Sequence, residues 1–431
     1  MAFLCLPILS LLQSYTQASS ESAGHISRKS PSMGPRVKRP RLTDPEPPVD
    51  GICLPASSSE KDSWNGFCEI ESEPALFNVM LRDFGVKGVK VQEVVSLDDE
   101  MMAFLDKPVY GLIFLFRWRQ DNDGKQEATC PDGLWFANQT ANNACASVAL
   151  LNIVNNIPDI ELGDHLQSFK DFTMPFTPAL RGDAINNFEF VKRIHNSFAR
   201  KMDMLSSDLQ LKNEATTRKK GAKGDEDESD PAFHFIAFMP AMGQLWKLDG
   251  LERQPRTLGE CSDDDWLDLV KPNLLDRMAA YEEDQIEFSI LGLVRDPLPD
   301  LVTELAVNVK GLEVLHERAP TLQSEALMGD TVLGPDPSLA LTRASIDAAV
   351  IPADVLNVYR TCPESQLSEH QQTAHRLQGE LRARIREEQQ SRRSDDEYAA
   401  GRRYDYGPAV RWWLRLLARK QELQALSLVV D

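Results

Sequence analysis

The chain has 431 residues, enough to bury a sizeable core and to hold two domains. Its formal charge of -19 argues against general nucleic-acid binding and suits a basic partner. Seven cysteines, at 5, 53, 68, 130, 145, 261 and 362, are odd in number and scattered, with no CxxC pair and no histidine cluster beside them. That excludes a disulfide framework or a zinc site and reads as reduced, intracellular thiols.

Residues 1–12 are apolar and mimic a signal peptide, but no basic residue precedes them and no sustained span follows, so no membrane association is expected. Serine, proline and charge then dominate, the composition of a disordered tail over 1–60. Within it Arg36-Val37-Lys38-Arg39-Pro40-Arg41-Leu42 has the make-up of a nuclear-import signal, and equally of a solvated basic run. Ser72 as N-cap and Pro74 in the first turn open a short helix over 75–81 that ends near Gly85. Residues 109–118, continuously apolar, make a strand buried on both faces.

Leu134 to Ala137 reads as the end of a buried strand, Asn142 or Asn143 as an N-cap, and the run from Ala144 as an apolar helix. Cys145 therefore lies in a first helical turn, where backbone N–H groups and the helix dipole favour a thiolate and can hold an oxyanion. Gln139, six residues earlier, carries a neutral amide donor within reach of the same oxyanion. Helical spacing returns over 166–172 and 188–200, and 205–231, rich in Lys, Glu, Asp, Ser and Gly, reads as a surface insertion. Two aromatic and apolar runs broken by a Pro and Gly turn, 231–238 and 244–251, make a hairpin. His234 starts its first strand and Asp249 ends its second, so pairing brings a carboxylate beside an imidazole and aims the ring at a thiol. Each of these residues alone has an ordinary structural reading, and free cysteine is usually core. The quartet in order is what carries chemistry.

A last strand is expected over 286–294, so helices on one side of a mostly antiparallel sheet give an α+β fold across 61–296. Residues 298–315 have helical spacing, and 320–352 reads as a flexible linker within a 297–360 segment. Residues 367–390 are strongly charged, with too few apolar positions for an isolated helix, and are solvated or paired with a partner. Val410, Trp413, Leu414, Leu416, Leu417 and Leu423 share one face of a final amphipathic helix in a helical extension, 361–431.

From about Trp64 to Asp296 the chain resembles the ubiquitin C-terminal hydrolases, which are papain-like cysteine peptidases. The resemblance rests on Trp64-Asn65, Glu69-Ile70-Glu71-Ser72-Glu73-Pro74, Asp83-Phe84-Gly85-Val86-Lys87-Gly88-Val89, the strand from Pro108 to Trp118, the box from Gln139 to Cys145, His195-Asn196-Ser197-Phe198-Ala199-Arg200, and the His234 and Asp249 segments. It implies a papain-like α+β fold with Cys145 as nucleophile, His234 as general base and proton donor, Asp249 as the acid orienting it, and Gln139 as oxyanion donor. No cofactor or metal is implied. The implied partners are ubiquitin and its conjugates, and the implied locations are cytoplasm and nucleus. In that family 205–231 corresponds to a crossover loop over the active site. Fully extended, its ring would be about 30 Å across, which favours small leaving groups. Arg402-Arg403, Tyr404 and Pro408 ahead of the last helix resemble the C-terminal extension of the family's long branch, found with proteasome or chromatin-complex adaptors, although a lysine-rich extreme tail is absent. Two competing readings are another papain-like acyltransferase, such as a transglutaminase, and a ubiquitin-binding scaffold without turnover.

Overall fold

A computed structural model describes residues 56–117, 127–220, 233–282, 288–318 and 331–419. The apolar start, the basic run at 36–42 and Leu423 lie outside the described residues.

Helix α1 (Ser58–Ser63) opens with a capping box between Ser57 and Glu60. Helix α2 (Pro74–Phe84) begins on its proline and stops at Gly85, whose φ of 88° suits a residue without Cβ. Its N-cap is Glu73 and not Ser72, because the Ser72 hydroxyl bonds Ser289 at 2.9 Å. Then come β1 (Val89–Glu93), α3 (Asp99–Met102), β2 (Val109–Arg117), α4 (Cys145–Val154), α5 (Asp164–Thr173), α6 (Pro178–Asn186), α7 (Glu189–Asn196) and α8 (Lys201–Lys220). The hairpin is β3 (Phe233–Ala241) and β4 (Gln244–Leu248), and β5 (Arg256–Glu260), α9 (Trp266–Glu282) and β6 (Ser289–Arg295) complete the sheet region. Pro240 sits inside β3; the two-residue turn is Met242-Gly243, with φ of 56° and 73°.

Among the described residues the sheet has six strands in the order β1-β6-β2-β3-β4-β5, every pair antiparallel. Helices cover both of its faces, not one. Phe77, Met80, Leu150 and Ile153 pack on one side; Trp266, Val270 and Leu274 of α9 close over Phe114, Phe238 and Leu245 on the other. The unbroken apolar sequence of β2 requires this, since an uncovered face would leave Leu112 and Phe114 in water. The stretch from Leu134 to Ala137 is buried but is not a strand. Residues 205–220 are helical, not an irregular insertion, so they rise about 1.5 Å each and not 3.3 Å.

Beyond the sheet, α10 (Leu298–Arg318) is followed by a 3-10 turn (Pro337–Leu339), α11 (Arg343–Ala348), α12 (Ala353–Thr361), α13 (Glu364–Arg403) and α14 (Gly407–Arg419). The described part of the expected linker, 331–352, is packed: Leu339, Leu341 and Ile346 are buried against Leu301 and Leu305 of α10. Helix α13 finds its partner within the chain, burying one stripe against α10. Its buried positions, 367, 371, 374, 378, 381 and 385, alternate steps of four and three and form a seam along α10. Gln378 of the seam bonds the Asn308 amide and both backbone groups of Val332, while Gln371 Nε2 is buried without a protein partner. Further along, the same spacing becomes ionic: Glu388 meets Lys90 at 2.9 Å, Arg392 meets Asp296, and Asp395 meets Arg82 at 3.4 Å. In α14, Val410, Leu414, Leu416 and Leu417 are half-buried while Trp412 and Trp413 stay exposed.

Candidate active site

Cys145 is the first residue of α4. Asn143, at φ 62°, turns the chain into the helix, and its amide donates to the Phe67 carbonyl and the Ser207 hydroxyl. The N-cap is thus Ala144 and neither asparagine, and no side chain caps the helix. The opening N–H groups, that of Cys145 included, are left for an anion.

The chain leading to this turn is held by the helix it feeds. Asn152 accepts from the Ala137 N–H at 2.8 Å and donates to its carbonyl at 3.2 Å, and Asn156 does the same for Trp135 at 2.8 and 2.7 Å. Two amides one helical turn apart thereby supply the bonds that a neighbouring strand would. Next, the Gln139 N–H donates to the Gly250 carbonyl at 2.8 Å, and Asn138 Nδ2 donates to the carbonyls of Gly250 (3.3 Å) and Glu252 (2.6 Å). The approach needs glycine: a Cβ on Gly250 would stand 3.1 Å from both the Cβ and the N of Gln139. Gln139 Oε1 is buried without a protein partner, which leaves that end of the amide uncommitted.

His234 is 3% exposed at the head of β3, and its Nε2 lies 2.7 Å from Asp249 Oδ1. The ring also hydrogen-bonds the Cys145 side chain, so Nδ1 faces the sulfur. Burial works against the imidazolium, but the bonds from Asp249 and Cys145 outweigh it and push the His234 pKa up to about 9. Asp249 moves the other way: burial would raise its pKa, yet the His234 bond, the nearby Lys247 and the Leu251 N–H hold it below the usual carboxylate range. An imidazolium held between the Asp249 carboxylate and the Cys145 sulfur results. Burial pushes Cys68 up to about 12 and raises Cys130 and Cys261.

Cys145, His234 and Asp249 therefore meet, and Gln139 is tied to the turn that carries Asp249. Several supporting residues escape a reading of the sequence. His195 Nε2 lies 2.8 Å from the Cys68 carbonyl, which can only accept, so Nε2 carries the proton and the Ser147 hydroxyl donates to Nδ1 at 2.8 Å. Burial drives the His195 pKa down to about 4, so this neutral ring pins the first turn of α4. Lys247, buried in β4, reaches Glu252 at 2.6 Å and the second oxygen of Asp249 at 3.8 Å. Asn152 inside the apolar helix and Asn156 just past its end, four apart, are the one legible signal among them. Among the described residues no group of three or more His, Cys, Asp or Glu is placed to hold a metal ion, and no helix is long and apolar enough to cross a membrane.

A family model described as ubiquitin carboxyl-terminal hydrolase, family 1, matches residues 67–279. The chain is 37% identical over 238 residues to ubiquitin carboxyl-terminal hydrolase isozyme L5 of Dictyostelium discoideum, covering 55% of this chain and 64% of that protein. It is 36% identical over 239 residues to ubiquitin carboxyl-terminal hydrolase ubh-4 of Caenorhabditis elegans (55% and 68%). With ubiquitin carboxyl-terminal hydrolase 2 of Schizosaccharomyces pombe it shares 35% over 246 residues (56% and 76%). The match thus spans just under two thirds of the first relative and more of the other two. This chain belongs to the ubiquitin carboxyl-terminal hydrolase family.

Proposed function

We propose that the chain is a deubiquitinating thiol protease that cleaves the peptide or isopeptide bond after the last glycine of ubiquitin. The observation that carries this reading is the unbroken line from Cys145 through His234 to Asp249, with the imidazole held protonated between the Cys145 sulfur and the carboxylate.

The Cys145 thiolate attacks the glycine carbonyl carbon, and the carbonyl electron pair moves onto oxygen. The Gln139 side-chain amide and the Cys145 backbone N–H stabilise that oxyanion. Collapse breaks the C–N bond as His234 gives its proton to the departing amine, leaving ubiquitin as a thioester on Cys145. His234, now neutral, takes a proton from water as the oxygen attacks; the second collapse expels the thiolate beside a restored imidazolium. Asp249 stays ionised throughout and keeps the ring aimed.

The helix α8 tightens the expectation on leaving groups. With 205–220 helical, the path to 232 is about 24 Å of helix plus at most about 40 Å of chain. Peptides, small adducts and ubiquitin itself are the substrates expected, with bulky folded conjugates slow. The exposed Trp412 and Trp413 support docking of a proteasome or chromatin-complex adaptor at α14, and residues 36–42 support a nuclear as well as a cytoplasmic location.

Ubiquitin bearing a fluorogenic C-terminal amide tests the reading. Turnover by the full chain that vanishes in Cys145→Ala, with ubiquitin binding retained, is the expected result. Binding without turnover would instead make the chain a scaffold.

A further inference from the structure

We infer that Lys247 is a positioning residue for hydrolysis: its ammonium holds the turn 249–252, which carries both the carboxylate that orients His234 and the carbonyls to which Asn138 and Gln139 are bonded. The inference rests on the hydrolytic reading of Cys145 and His234.

Lysine is almost never this buried unless paired, and Lys247 is 2% exposed among apolar neighbours, with Leu245 two residues before it on the same face and Phe238 opposite. Folding alone would be served by an aliphatic residue there. The ammonium instead lies 2.6 Å from Glu252 Oε1 and 3.8 Å from Asp249 Oδ2. Asp249 Oδ1 is already engaged by His234 at 2.7 Å and by the Leu251 N–H at 3.0 Å, so the lysine faces the oxygen left over. The Glu252 N–H closes the turn on the Asp249 carbonyl at 3.0 Å. From the same turn the Glu252 carbonyl accepts Asn138 Nδ2 at 2.6 Å and the Gly250 carbonyl accepts the Gln139 N–H at 2.8 Å. One cation is therefore shared by the two ends of the turn, the acid that aims the base and the residue whose carbonyl holds Asn138, and it adds a side-chain tie to the single backbone bond that closes the turn.

The charged groups beside it are Asp249 and Glu252 in the turn and Arg256, paired opposite Lys247 on β5; His234 of β3 lies on the far side of Asp249, and Arg277 of α9 lies 6.0 Å over the ring of Phe116, the strand partner of His234. Removing the ammonium makes the surroundings of His234 more negative, which favours the imidazolium. It also frees the turn, and a shift of about 1 Å in reacting groups is costly.

The test uses the full chain as wild type, Lys247→Gln, and Lys247→Gln with Glu252→Gln, the last leaving no buried charge unpaired. Rates on ubiquitin with a fluorogenic C-terminal amide are followed against pH, alongside the pH dependence of Cys145 alkylation and thermal unfolding. In Lys247→Gln we expect kcat to fall roughly tenfold or more with KM little changed, and the alkaline limb of both profiles to move to higher pH. The double variant keeps the kcat loss with a smaller shift of the limb. An alkaline limb at the wild-type pH in folded Lys247→Gln, or a rate loss accounted for by unfolded protein alone, overturns the proposal. A wild-type chain with no turnover sinks the hydrolytic reading itself and is told apart from either result.

Discussion

Asn152 holds both backbone polar groups of Ala137, donating at 3.2 Å and accepting at 2.8 Å, so the helix that begins with Cys145 fixes the segment that delivers Gln139. Replacing Asn152 by Ala leaves two buried backbone groups unpaired. We expect a loss of about 2–4 kcal/mol, read as a lower denaturant midpoint, together with reduced kcat. An unchanged midpoint would mean the pairing contributes nothing.

Asp249→Asn removes the charge that holds the His234 proton. The raised pKa of about 9 should fall towards the ordinary histidine value, carrying the alkaline limb of kcat/KM with it, and the rate should drop by two orders of magnitude or more. The stability the pair contributes is present in full below the unfolded-state histidine pKa of about 6.5 and disappears as pH rises through about 9. Unfolding followed across that window therefore shows a decline in the wild type that is missing in Asp249→Asn.

Gly250→Ala places a methyl group 3.1 Å from Gln139 and 3.2 Å from Val148. The Gln139 side chain proposed to hold the oxyanion is displaced. The expected outcome is kcat reduced roughly tenfold to a hundredfold with ubiquitin affinity retained; weakened binding at normal kcat would assign the turn to recognition instead.

Arg402 of α13 reaches Asp203 at 2.8 Å, Glu71 at 2.8 Å and the Phe198 carbonyl at 3.0 Å, and Asp405 accepts from the Lys201 N–H that begins α8. The C-terminal helices thus grip the start of the helix that leads towards 221–232. Because Glu71 is half-exposed, the clamp is discounted for solvent: Arg402→Ala should cost about 1–3 kcal/mol. Hydrogen exchange should rise at the ends of both α13 and α8; a rise in α13 alone would uncouple the two.

The sequence carried its clearest signals where chemistry demands particular residue types. Gln139 and Cys145 around a helix start, and His234 and Asp249 on a hairpin, are legible because each needs a functional group and a spacing. The supporting frame was hidden because it works through unusual means. Trp135 and Ala137 look like strand, but side-chain amides take the place of the neighbouring strand. The charged stretch 367–390 looks solvated because its heptad seam includes Gln371 and Gln378, which are buried along the facing α10. Residues 331–352 look like linker because Leu339, Leu341 and Ile346 are spaced by turns, not by a helix or strand period. Lys247 goes unnoticed in a largely apolar strand because its partner Glu252 lies beyond the turn.

The most direct measurement is covalent capture by ubiquitin bearing an electrophile at its C-terminus, with the modified residue mapped by mass spectrometry. We expect a single adduct on Cys145, absent in Cys145→Ala and slowed in His234→Ala. An adduct on Cys68, Cys130, Cys261 or Cys362, or capture indifferent to His234, would contradict the account.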